Sequence, residues 1–164
     1  MGPVLEDLRK FNGERFHLIW KAAQTGNLQS LNEEQRSLAE IMLEHEEYHN
    51  QFEIADHLSE HEYDAETETN PFLHITFHQI IESQLEARDP IEVYQFFNAM
   101  LKKKLSRHEV VHLIGHILSY LIYACLQEQK EFDLERYKSL LKKYKNRNPD
   151  RLPALIESDF DQQG

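Results

Sequence analysis

The chain is poor in the residues that build disulfide-stapled, β-rich or nucleic-acid-binding proteins. Its 164 residues include a single cysteine, Cys125. That excludes an internal disulfide and a cysteine-based zinc site, and points to a reducing, cytoplasmic setting. Glycine and proline number only five each, and valine and threonine are sparse, which argues against a turn-rich β-sandwich. Cations are few, with 18 Lys and Arg against 29 Asp and Glu, for a net charge of −11. Nucleic acid and anionic membrane surfaces both require clustered positive charge, so neither is an expected partner. Met1 to Asp7 holds no basic segment leading into an apolar run, so no signal peptide is expected. What remains is an ordinary globular balance, 40% hydrophobic and 29% charged, in a length suited to one domain.

The periodicity predicts an all-α helical bundle of about five to six helices. A first helical stretch covers roughly Val4 to Ala23, with a break or kink at Asn12-Gly13. Asn32 with Gln35 forms a capping-box pattern, followed by the stripe Leu38, Ile41, Met42, Tyr48 and Phe52. Asn70-Pro71 opens a helix to about Ala87, and Asp89-Pro90-Ile91-Glu92 another to about Lys104. Ser106 with Glu109 caps a long helix reaching about Gln129. Its middle, Val110 to Leu126, is nearly apolar, but His112, Gly115, His116 and Ser119 interrupt it, so it reads as a buried bundle helix, not a membrane span. A last amphipathic helix carries Phe132, Tyr137, Leu140, Leu141 and Tyr144. Residues 1–146 thus read as the bundle domain and residues 147–164 as a flexible, polar tail.

Against this plain background stand ten histidines. Five pairs are spaced i, i+4: His45/His49, His57/His61, His74/His78, His108/His112 and His112/His116. Random placement would give only about 0.6 such pairs. On a helix, residues four apart carry Cβ atoms about 5–6 Å apart, so two imidazoles can converge on one metal ion. His45/His49 and His74/His78 share stripes with apolar residues, and His108, His112 and His116 form a polar stripe on the long helix. Inward-facing side chains on neighbouring helices are how bundles build metal sites. Six neutral imidazoles bring six donors and six acceptors, which an apolar core does not easily satisfy. The expected ligands are therefore His45, His49, His74, His78, His108 and His112, with His116 as a further candidate. His17, His57 and His61 read as surface or structural residues.

Glu46, Glu53, Glu82 and Glu109 lie one turn or less from these histidines. Glu46 and Glu109 form Glu-x-x-His units of the kind found in carboxylate-bridged dinuclear bundles. Glu109 has an equally good role in the capping box with Ser106. Two segments, His45 to His49 and His108 to His112, match the H-E-x-x-H pattern of zinc proteases. The third ligand of the longer protease pattern falls on Leu118, so proteolysis is not expected. The acidic run from Glu60 to Glu68 reads as a solvated loop.

His45-x-x-Tyr48-His49, Asn70-Pro71-Phe72-Leu73-His74 with His78, Ile81-Glu82-x-Gln84 and His108-Glu109-x-x-His112 together resemble a bacterial family known as domain of unknown function family 1841. The likeness runs from about Phe16 to Glu128. It implies an all-helical, cytoplasmic bacterial protein and brings no activity with it. His116 departs from the family pattern, which has an acidic residue near that position.

The residues therefore predict a metalloprotein with one or two transition-metal ions per chain, iron, zinc or nickel. Two functions stay open: a dinuclear enzyme of oxygen, redox or hydrolytic chemistry, and a non-enzymatic interaction or metal-handling module whose metal is structural. A homodimer also stays open.

Overall fold

The structure, a computed structural model, describes residues 12–64 and 68–161. Eight α-helices and no strand occur among these residues: α1 (Gly13–Thr25), α2 (Glu33–Glu44), α3 (His49–Glu53), α4 (Pro71–Ala87), α5 (Ile91–Lys102), α6 (Arg107–Glu128), α7 (Leu134–Tyr144) and α8 (Leu152–Asp161). The all-α class is as expected. The count exceeds five to six because α3 is split from α2 and because the expected tail is helical. The part of the first helix expected before Asn12, and Glu66 of the acidic run, lie outside the described residues. The chain divides into two compact units, one ending at Gln79 and the other beginning at Ile80, within α4.

In the first unit, α1 packs on α2 and on the turn Ala55–His57. Asn12 Oδ1 caps α1 by accepting the Arg15 N–H at 3.1 Å. Gly13 is required by close approach: a Cβ there would lie 2.0 Å from the Ala55 carbonyl oxygen. α2 opens on the full capping box, with Asn32 Oδ1 accepting from Gln35 N at 2.8 Å and Gln35 Oε1 from Asn32 N at 3.1 Å. Its apolar stripe, Leu38, Ala39, Ile41 and Met42, is buried with Ile19, Trp20, Phe52, Phe72 and Ile75. The first half of α4 belongs to this core, and Asn70 Oδ1 caps it through the N–H groups of Phe72 and Leu73.

In the second unit, α6 contacts α5, α7 and α8. It is long and apolar enough to cross a bilayer, and Val110, Ile114, Ile117, Leu118 and Leu121 along it are buried. Buried Tyr137 on α7 donates its hydroxyl to Gln84 Oε1 at 2.9 Å. Tyr144 donates to Asp159 Oδ2 at 2.6 Å, holding α8 to α7. Residues 152–161, expected as flexible tail, form α8 because Leu152 and Ile156, one turn apart, are both fully buried.

The scarcity of glycine shows at the helix ends. Gly26 (φ 71°) closes α1 in the left-handed region, but Arg88 (φ 52°), Lys104 (φ 74°) and Gln129 (φ 52°) fill that role after α4, α5 and α6. At Lys104 the paired bonds of a Schellman motif are present, Lys104 N to Leu101 O at 3.0 Å and Leu105 N to Met100 O at 3.4 Å. A lysine therefore sits where glycine carries less strain, a cost of about 1 kcal/mol.

The burial of α8 has a measurable consequence. Ile156→Ala should lower unfolding stability by about 2–5 kcal/mol, the usual cost of deleting a buried aliphatic side chain. Denaturant titration of the variant reads this loss, whereas a dispensable tail would show a change within about 0.5 kcal/mol.

Candidate functional site

The first unit assembles three imidazoles. α2 ends at Glu44, and His45 occupies its C-cap with φ −103° and ψ 69°. The side chain turns back along the helix, and His45 Nδ1 lies 2.8 Å from the Ile41 carbonyl oxygen in a buried setting. A carbonyl can only accept, so Nδ1 carries the proton and Nε2 carries the lone pair. His45 is 1% exposed, so this tautomer is set by the fold. His74 and His78, one turn apart on α4, meet this ring. The His45 centroid is 5.0 Å from that of His74 and 4.5 Å from that of His78. His74 Nε2 and His78 Nε2 are 3.2 Å apart. Two ligands of a tetrahedral ion with bonds of 2.0–2.1 Å stand about 3.3 Å apart, so this spacing fits a shared ion.

His49 does not join them. Because α2 stops at Glu44 and Glu46–Tyr48 is a 3-10 turn, His45 and His49 do not share a helical face. His49 Nε2 instead donates to the carbonyls of Met42 and Leu43, at 3.1 and 3.3 Å. Its ring packs on Trp20 with centroids 4.6 Å apart. Tyr48 takes the neighbouring place, parallel to His45 at 6.1 Å and edge-on to His74 at 5.5 Å. Burial, together with the charge of Glu47, raises its phenol pKa. From the sequence, Tyr48 belongs to the apolar stripe and to the His45-x-x-Tyr48-His49 motif, neither of which makes it a site residue. Its position three residues after His45 is the one signal of this contact.

The second unit carries the other stripe. His108 and His112 project from successive turns of α6 with ring centroids 4.1 Å apart. They lie on the surface, and with half-buried His116 they line a groove of about 670 Å³. The groove also includes Lys104, Asn148 and Asp150, which the sequence reading did not single out. His116 is four residues beyond His112 and packs on Tyr120, with ring centroids 5.3 Å apart.

The carboxylates near these histidines have other partners. Glu109 Oε2 accepts from Ser106 N at 2.7 Å and Ser106 Oγ at 2.8 Å. These hydrogen bonds hold its carboxyl below the usual range, so the capping role accounts for it. Glu82 pairs with Arg107. Glu53 pairs with Lys21 and accepts the Trp20 indole N–H at 2.9 Å. Glu46 is exposed. Among the other histidines, His17 faces Asp56 at 3.7 Å, exposed His57 lies beside the same carboxylate at 3.8 Å, and His61 contacts Glu68 at 3.2 Å.

A family model described as Domain of unknown function (DUF1841) covers residues 6–143. No curated protein and no solved structure matches the chain.

Burial lowers the His116 pKa, with Glu157 opposing the shift. The unfolded side chain titrates near 6.5. As pH falls through that value the unfolded chain takes up a proton that the folded chain resists, so His116 subtracts stability between 6.5 and its lower folded pKa. In metal-free protein, His116→Leu should therefore gain stability relative to wild type as pH falls from 7.5 to 5. Paired thermal melts across this range check it, and a difference constant with pH would contradict it.

Proposed function

The chain belongs to the family described as domain of unknown function DUF1841, and from its own residues we propose that it is a transition-metal-binding protein whose ligands are imidazoles. One observation carries this reading: His45, His74 and His78 meet while His45 Nδ1 is tied to a backbone carbonyl. Metal-bound histidine commonly donates its second ring N–H to a carbonyl or carboxylate, which fixes the tautomer and aims the other nitrogen at the ion. Here that arrangement comes from the end of α2. Three neutral nitrogen donors suit zinc, nickel or iron in the divalent state. His108 and His112 are a second source of imidazole ligands.

The burial of His45 and His78 favours an ion that stabilises the fold, since binding the native state alone adds to its stability. The groove beside His108 and His112 favours reactivity, because a catalytic ion needs a position open to substrate. Without an ion, the 3.2 Å contact between His74 and His78 is a single N–H···N hydrogen bond, and that is the alternative to be tested.

Untagged protein should carry at least about one equivalent of transition metal per chain, and chelation should lower its melting temperature. His74→Ala should lose this metal. Exposed His57→Ala should keep it, and His49→Ala should keep it while losing about 1–3 kcal/mol through the abandoned carbonyls of Met42 and Leu43. Elemental analysis with matched melting curves distinguishes these outcomes. Equal metal content in wild type and His74→Ala would contradict the assignment.

A further inference from the structure

The groove of the second unit carries a charge pattern with a use. His108 and His112 lie on one wall, and the groove of about 670 Å³ lies within the usual range of small-molecule sites, about 300–1,000 Å³. Four other charged side chains line it: Lys103, Lys104, Glu109 and Asp150. Two of them are already engaged. The Lys103 ammonium donates to the carbonyls of Lys145 and Arg147, at 3.0 and 2.6 Å. The Glu109 carboxylate is held by Ser106. Lys104 and Asp150 remain as an exposed cation and an exposed anion. The four side chains cancel one another in charge, so a divalent ion on the imidazoles would leave the groove positive, the ion being the largest local charge.

Lys104 ends α5 in a left-handed position, φ 74°, as Arg88 and Gln129 do at other helix ends; what sets it apart is that this exposed lysine lines the groove.

We propose that the groove receives a small oxyanion, a carboxylate or a phosphate, that completes the coordination of an ion held by His108 and His112 and pairs with the Lys104 ammonium. This inference rests on the metal reading above and names the class of ligand that the metal would present or transform. Asp150 faces the same space and disfavours highly charged anions, so a compact mono- or dianion is the fitting size and charge.

Cobalt(II) is the probe, because its visible bands respond to a change of ligand. The full chain is loaded with cobalt, bound metal is counted, and inorganic phosphate or malonate is titrated in while retained cobalt is monitored. Wild type should show a saturable band shift with at least one of the two anions, and the preferred anion identifies the ligand chemistry. Metal-free protein, followed by titration calorimetry with the same anion, should bind it at least tenfold more weakly. Lys104→Gln should weaken it at least fivefold per bound cobalt, and Lys104→Arg should restore most of the loss. The double variant His108→Ala, His112→Ala should abolish the shift. A wild-type protein that binds cobalt but responds to neither anion would overturn this inference and leave the metal reading standing. So would Lys104→Gln binding as wild type does. Failure of wild type to bind cobalt would overturn both.

Discussion

The hydrogen bond from His45 Nδ1 to the Ile41 carbonyl is the constraint on which the account depends. It does two things at the end of α2. It gives one of the last helical carbonyls a partner, as helix termini require, and it decides which ring nitrogen bears the proton. A buried imidazole in a fixed tautomer differs from a surface histidine. It presents one lone pair in one direction, and here the rings of His74 and His78 lie on that side chain. The same bond explains why His49 is absent from the group. With the helix ended at Glu44, His49 starts a new short helix and serves as a cap for Met42 and Leu43.

Around this point the first unit is conventional. Trp20, Phe52 and Phe72 belong to the buried apolar cluster on which Tyr48 packs, and Trp20 is anchored by its indole N–H on Glu53. Such packing limits rotamer freedom, and ligands held in one rotamer bind without a further entropic cost. The second unit is organised differently. Its histidines are on the surface of α6 and open to a groove, with the buried face of that helix devoted to packing. The two environments give imidazole two different characters in one chain, one buried and fixed, the other accessible.

Much of this was legible in the sequence. The capping boxes of Asn32 with Gln35 and of Ser106 with Glu109 are present as read, and Asn70-Pro71 does open α4. Local hydrogen-bond chemistry decides such positions, so no tertiary information is needed. The end of α2 at Glu44 was not legible, since neither glycine nor proline marks it and the stripe continues through Tyr48 and Phe52. A side chain bonding its own helix was the cause, and periodicity does not register that. α8 was missed for a different reason. The polar run Lys145 to Asp150 before it suggests a tail, yet Leu152 and Ile156, spaced one turn apart, record the buried face. The left-handed caps at Arg88, Lys104 and Gln129 carry no sequence signal, because the residue that would announce them is glycine.

The central claim is that imidazole nitrogens bind a transition metal in this chain. X-ray absorption at the metal edge of untagged, metal-loaded protein tests it most directly, because the fine structure reports both bond length and ligand type. The account predicts nitrogen neighbours at about 2.0–2.1 Å with the outer-shell scattering of at least three imidazole rings, reduced in His45→Ala. A shell of oxygen neighbours without imidazole scattering, unchanged by that substitution, would contradict it.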